Sequence, residues 1–561
     1  MTDIKKQSEL DLGAIRKRLS ESKGRKYWRS LEEIAQTEDF QEFLHREFRH
    51  QIPDYRGDEV GRRKFLQLMA ASLALAGLNA CTNQPREEIV PYVIPPERLI
   101  PGKPLFFASA LIVRGMAQGV LAESHMGRPT KIEGNPDHPA SLGAADPLMQ
   151  GSILTLYDPD RAQVVTQNGR ISTWESFTNA LRLELGNLEQ SGGEGFRILT
   201  ETVTSPTLAA QIRDLLSRYP SAQWHQYEPA SRDLVRQGLR QVLSQERDAV
   251  YSFDRADVVF SLDSDFLSSP PSGVRYTKDF SRKRRVTAGS TDMNRLYIVE
   301  GSVSVTGSMA DHRLALKPSQ IRQVAQALAG RLGVAGAAAP AVDFISQDWM
   351  AALARDLQNH RGSSIVIAGE GQPPEVHALV YRINEALGNV GRTVRYIEAV
   401  EANPVVQMES LQRLARDMDQ GLVDTLVILS GNPVYTAPAD LSFAQKMEKV
   451  RLRLHLSLFY DETSALCHWH IPETHYLETW SDARAFDGTA SIIQPLIAPL
   501  YAGRSVHEFL ASFTERAGAS SYDLVRSYWE SQNPAQDFER FWRKALHDGV
   551  VSGGGHPEGT R

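Results

Sequence analysis

Cysteine is nearly missing from this chain. Only Cys81 and Cys467 occur in 561 residues. A four-iron cluster takes about four thiolates, so the chain cannot hold one on cysteine alone. Cysteine-built structural zinc sites and a disulfide framework are disfavoured by the same count. Positive charge is not in excess either, since 62 Lys and Arg stand against 68 Asp and Glu, a formal net charge of −6. Nucleic-acid binding needs a basic field that this balance does not supply. The one short basic run, Arg282-Lys283-Arg284-Arg285, reads as a solvated loop before it reads as a dock for an acidic partner. No P-loop and no HExxH pattern occurs. The apolar run at 65–80, diluted by Gln67, Ser72 and Asn79, falls short of the roughly 20 residues that span a bilayer.

What is present is ordinary globular composition, 42% hydrophobic and 23% charged, in a length that allows several domains. The apolar run has the grammar of an export signal. Arg62-Arg63, then Lys64-Phe65-Leu66, resembles the twin-arginine type, with Gly61 where Ser or Thr is usual. It closes on Leu78-Asn79-Ala80-Cys81, which resembles a bacterial lipobox with Cys81 as the acylated residue. Stable anchoring takes more than one acyl chain. The rival reading is a buried amphipathic helix with a chance cysteine.

The domain reading follows composition. Residues 1–60 form a cytoplasmic leader. Ser30 to Glu33 suggests a capping box, and Phe40, Phe43, Leu44 and Phe48 recur at helical spacing; a structured, partner-bound leader and a disordered one stay open. Residues 61–81 are the signal, and 82–104 a Pro-rich tether. A small β-rich subdomain is expected over 105–165, with strands at 105–113 and 118–123. An α/β domain follows over 166–330, then an Ala/Gly/Pro linker and a second α/β domain over 344–505. Apolar runs at 196–200, 258–262, 295–299, 365–369, 393–397 and 425–430 alternate with helical patterns such as 375–387 and 408–420. Short apolar strands alternating with helices imply parallel sheets covered on both faces. Residues 506–561 carry helical patterns and a Gly-rich tail.

Candidate chemistry is sparse. Gly431-Asn432-Pro433 follows the run ending at Ser430. Ligands on such sheets sit beyond the carboxyl ends of strands, and a glycine there permits close approach. A plain turn between strand and helix is the alternative. Cys467, His468, His470 and His475 invite a metal, but alternation along a strand splits them across two faces, and packed side chains are the simpler reading. Ser231 has neither a nearby histidine nor a glycine elbow. Asp263 and Asp265 read as turn formers before acid–base groups.

Several stretches carry a resemblance. Lys131 to Pro139 (KIEGNPDHP), Tyr157-Asp158-Pro159-Asp160-Arg161, Ser430-Gly431-Asn432-Pro433, Asp461 to Leu466 and Asp487-Gly488 resemble segments of the molybdopterin oxidoreductases. Lys26 to Glu33, the displaced arginine pair and Asp311-His312-Arg313 narrow it to the variant-Tat-translocated, molybdopterin-oxidoreductase-like subunit of alternative complex III. The resemblance covers about residues 25–550. It implies an α/β, three-layer molybdopterin-oxidoreductase-like fold with parallel sheets flanked by helices. Gly431, Asn432, Pro433, Asp487 and Gly488 would be vestiges of the pterin side.

Departures from the superfamily shape the functional expectation. The stretch Leu105 to Ala110 has no cysteine where active members bind an iron–sulfur cluster, and Gly143 to Asp146 has none where the late cysteine of that motif falls. No counterpart of the molybdenum-ligating residue is evident beyond Ser231. The superfamily's final β-barrel domain and the branch's ferredoxin-like domain have no matching segment up to Arg561. The resemblance thus implies a scaffold with no catalytic residue, metal or cofactor of its own, inside a membrane quinol:electron-acceptor (cytochrome c type) oxidoreductase. Expected partners are an iron–sulfur ferredoxin-like domain or subunit, a multihaem cytochrome c subunit and quinol-binding membrane subunits. The place is the periplasmic face of the cytoplasmic membrane, through the Cys81 lipid anchor, after export directed by Arg62 and Arg63. The alternatives are an active molybdopterin oxidoreductase of the polysulfide/thiosulfate reductase type, and a soluble nucleotide-binding module using Asn432 and Asp487.

Overall fold

A computed structural model describes residues 100, 102–286, 289, 292–334, 340, 342–534 and 537–551. Arg62, Arg63, Cys81 and the leader lie outside the described residues.

The first described unit is an antiparallel meander of β1 (Leu105–Val113), β2 (Met116–His125) and β3 (Arg128–Gly134). Both strands expected here form. The β1–β2 turn needs its glycine: Gly115 has φ +76°, and a Cβ on it would lie 2.5 Å from Thr202. The helix Pro147–Leu156 follows, capped by Asp146 accepting from the Met149 N–H.

The chain then starts one sheet, leaves it, and returns. The hairpin β4 (Thr166–Gln167) and β5 (Arg170–Ile171) precedes β6 (Phe196–Thr200) and β7 (Gln223–Gln226). Between β6 and β7 runs the helix Pro206–Arg218, with proline in its first turn and the Ser205 hydroxyl accepting from the Leu208 N–H. Next come β8 (Arg247–Tyr251), β9 (Val258–Leu262), β10 (Arg295–Glu300), β11 (His312–Ala315), β12 (Ser364–Ala368) and β13 (Val394–Glu398). Four of these form a parallel sheet in the order β11-β10-β9-β12. Then β14 (Thr425–Leu429), β15 (Leu452–Ser457) and β16 (Trp469–Pro472) complete the first sheet, ordered β5-β4-β16-β15-β14-β6-β7. Its strands from β16 to β7 run parallel. A hairpin of β17 (Ser481–Arg484) and β18 (Ala490–Ile493) follows. The helices Val506–Ala511, Ser521–Gln532 and Phe538–Asp548 end the described chain.

The two main sheets are therefore nested and do not follow one another along the chain. The Ala/Gly/Pro stretch at 330–343 falls between β11 and β12 of one sheet. Its Val334 and Val342 are buried in that sheet's core beside Leu328 and Leu353. The stretch thus joins two strands of one sheet. The run at 393–397 forms β13, but it pairs antiparallel with β8 outside the parallel sheets. Its burial is incomplete, with Val394 and Ile397 buried and Glu398 exposed. By contrast β6, β9 and β14 are buried at every position. That is why they read as mostly apolar runs, broken in β6 by the buried Arg197 that pairs with Asp417.

Candidate functional site: the carboxyl ends of the seven-stranded sheet

Four of the five parallel strands of this sheet are followed within two residues by a polar residue at the carboxyl end. Glu201 follows β6, Glu228 follows β7, Ser430 follows β14 and Glu473 follows β16. Leu429 closes β14, and Ser430 then takes the left-handed region at φ +58°, with Gly431 at +67°. A Cβ on Gly431 would stand 3.1 Å from Glu201 Cγ and 3.2 Å from its Oε1. The close approach read from this glycine is thus made by a side chain of the same chain. The Ser430 hydroxyl donates to Glu473 Oε2 at 2.8 Å. A cavity of about 30 Å³ lies here, lined by Thr200, Glu201, Tyr227, Gly431 and Asn432 among others. It is large enough for about one water.

All three carboxyl groups are raised, Glu201 and Glu473 strongly. Burial, with Glu228 and Glu473 nearby, pushes Glu201 up to about 8. Burial pushes Glu473 up to about 7, opposed by the Ser430 hydrogen bond. Glu228 is also raised by burial, with Arg114 pulling the other way. Like charges in one place resist joint ionisation, so these groups titrate as a set.

Asn432 and Pro433 are committed to local structure. Asn432 Nδ2 donates to Glu462 Oε2 at 2.6 Å, and its Oδ1 accepts from the Thr463 hydroxyl at 2.8 Å. Pro433 opens the short helix Pro433–Thr436. Behind the turn, His455 Nε2 contacts the Gly431 carbonyl at 3.1 Å and Nδ1 the Ser464 hydroxyl at 2.9 Å. Burial drops His455 to about 4. The ring is neutral, so Nε2–H donates to Gly431 and Nδ1 accepts from Ser464.

Asp487 and Gly488 lie elsewhere. They form the turn of the β17–β18 hairpin, with Gly488 at φ +87° and Asp487 Oδ1 accepting from the Thr489 N–H at 3.0 Å. Neither lines the cavity at Gly431. The five residues assigned to one pterin side thus belong to two separate turns.

The histidine and cysteine set does not converge. Cys467 is a free, buried thiol packed with Leu411, Leu414 and Val450, and burial raises its pKa. His468 Nδ1 accepts from the Arg453 N–H, His470 Nε2 faces Ser457, and His475 Nε2 faces Thr155. Among the described residues no group of three or more His, Cys, Asp or Glu could hold a metal ion. Ser231 sits in the loop before the helix Asp233–Arg240.

Asp263 and Asp265 organise loops. Asp263 accepts from the Gly301 N–H and Gln372 Nε2, and Asp265 from the Thr306 N–H and hydroxyl. The basic run is engaged within the fold: Arg282 faces Asp279, Lys283 pairs with Asp257, and Arg284 with Asp311. Gly143 to Asp146 lines a broad cleft of about 540 Å³ against Leu267 and Lys278. The polar groups of that cleft are engaged, Asp146 as a helix cap and Lys278 on the Leu142 carbonyl.

Reading the sequence missed Arg114 and the three glutamates. Arg114, in the β1–β2 turn, donates to the Ala230 carbonyl, to the Pro270 carbonyl at 2.8 Å and to Glu370 Oε2 at 2.7 Å. Those partners follow β7, β9 and β12, so one guanidinium ties the carboxyl ends of both sheets. The signal for Glu201 and Glu473 was a charge placed directly after a buried strand; Glu228, behind the polar β7 and Tyr227, carried no such signal.

The class is defined by this architecture: the chain has a molybdopterin-oxidoreductase-like α/β fold, with parallel sheets flanked by helices. Acetylene hydratase from Pelobacter acetylenicus superposes on it with a TM-score of 0.54 at 11% identity, over 78% of this chain and 74% of that one. In sequence the chain is similar to the "Menaquinone reductase, molybdopterin-binding-like subunit" of Nitratidesulfovibrio vulgaris, at 22% identity over 456 residues. That match takes in 72% of this chain and spans 64% of the relative's length. No family model matches the chain.

Proposed function

We propose that this chain is a scaffold subunit of a membrane quinone-linked oxidoreductase of the alternative complex III type, without redox chemistry of its own. The observation that carries the reading is the lining of the strand-end site. A pterin dinucleotide is polyanionic and its metal takes a soft or hydroxyl ligand. Here three carboxyl groups converge on the turn, the space beside them admits about one water, and Cys467 lies in the core. These residues do not fit that group. The relative is named as a subunit, which supports a role inside an assembly. Electrons would then pass through iron–sulfur and haem c partners, with this chain setting their spacing. Arg62 and Arg63 would direct export as a folded protein, and acylated Cys81 would hold the chain at the periplasmic face of the cytoplasmic membrane.

The test is affinity purification from membranes, followed by mass spectrometry of the companions and of the mature N-terminus, with molybdenum and iron measured per chain after the companions are stripped. Co-purifying multihaem cytochrome, acylated Cys81 and no stoichiometric molybdenum are expected. About one molybdenum per isolated chain would sink the scaffold reading.

A further inference from the structure

The meander gathers most of its exposed apolar side chains at one end; at the other end of β1, Ile112 is exposed by itself. Leu105 faces Ser124 across β1 and β2, and Ser124 faces Pro129 across β2 and β3. Leu105, Phe106, Phe107 and Met126 of the β2–β3 turn therefore share one end of the sheet. Tyr157 belongs there too, because its hydroxyl donates to the Pro129 carbonyl at 2.8 Å. Leu154 lies one helical turn before Tyr157. With Ile100 these side chains are between 36% and 73% exposed. The middle of β1, from Ala108 to Ala110, is buried. Lys103, Arg128 and Lys131 stand on the same unit, Lys131 paired with Glu133 and across from Glu123.

We propose that this end of the meander lies against a lipid surface. Aromatic and aliphatic side chains with cations beside them suit the boundary between acyl chains and anionic headgroups. The position of the patch favours a bilayer as the occupant. The described chain begins at Ile100, inside the patch, nineteen residues after Cys81 (81 to 100). That linker reaches at most about 65 Å when extended. The direction of the tether rests on the reading of Cys81 as the anchor; the exposed patch does not.

The test uses full-length Cys81→Ser protein, which cannot be acylated, in flotation with phosphatidylglycerol–phosphatidylethanolamine vesicles. It is compared with the same protein carrying Phe106→Ser and Phe107→Ser, and separately Leu154→Ser. All keep the same leader, so a difference reads the patch. The Cys81→Ser protein is expected to float. The double change should weaken binding about tenfold or more, and Leu154→Ser severalfold, with unchanged melting temperatures. Equal binding by all forms overturns the proposal, as does failure of the Cys81→Ser protein to float, the result for a patch that covers a partner subunit. Detergent partitioning and N-terminal mass of the unmutated protein report on the anchor separately.

Discussion

Asp263 and Ser430 hold the same place on two different sheets. Each follows the last residue of a central strand, β9 or β14, at φ +59° and +58°. The N–H of each donates at 2.8 Å to the neighbouring strand, Asp263 to Val299 and Ser430 to Leu456. Each side chain then fastens another loop, through Gln372 or Glu473. A non-glycine residue here costs about 1–2 kcal/mol of backbone strain.

Replacing Ser430 tests that strain. Ser430→Val puts a β-branched side chain at positive φ and removes a hydrogen bond, so the melting temperature should fall by an amount matching about 2–3 kcal/mol. Ser430→Gly relieves strain while losing the bond to Glu473, and should stay within about 1 kcal/mol of the parent. Equal losses in both would show that the bond alone matters.

Stability should depend on pH with two opposing slopes. Glu201 and Glu473 have folded pKa values raised to about 8 and 7, so the folded state binds more protons than the unfolded one above about pH 4.5. Stability from these groups is full below that pH and is lost as pH rises toward 8. His138, His225, His377, His455, His470 and His475 are lowered to about 4, first of all by burial. Their contribution is full above about pH 6.5 and is lost as pH falls toward 4. Glu201→Gln should flatten the alkaline limb and gain about 1–2 kcal/mol at pH 8. Melting curves from pH 4 to 9 read both limbs.

Arg161 and Glu478 form a buried, two-pronged pair at 3.0 and 2.6 Å, with side chains 2% and 1% exposed. Removing one partner strands the other charge. Glu478→Gln and Arg161→Met should each cost about 3–5 kcal/mol. A Met pair at both positions should recover part of that loss, read by thermal melts of the three variants.

Cys467 should be silent toward thiol reagents in the folded protein, because it is buried and its thiol is held protonated. Ellman's reagent should find it only after denaturation. Rapid labelling of the native protein at neutral pH would contradict its placement in the core.

The strands were legible because β6, β9 and β14 are covered on both faces and so consist of little but apolar residues. The helix at Pro206 was legible from its cap. Which strands share a sheet was not legible, since apolar runs do not state their neighbours. Gly431 was correctly marked as a place of close approach, but the approaching group was Glu201, 230 positions earlier in the chain (431 − 201). Asp487-Gly488 read as part of the same side, and the pairing of β17 with β18 places it in a turn of its own.

The nested sheet has a consequence for biosynthesis. Phe196 on β6 is in register with Thr425 on β14, 229 positions later (425 − 196). At about 5–20 residues per second, a ribosome needs on the order of 10–45 s to bridge that interval. Throughout it the nascent β6 edge waits with its amides and carbonyls unmatched, a hazard for sticking to other chains. A factor that shelters the newborn polypeptide, or a slow passage of the ribosome near residue 400, would act where this topology is most vulnerable.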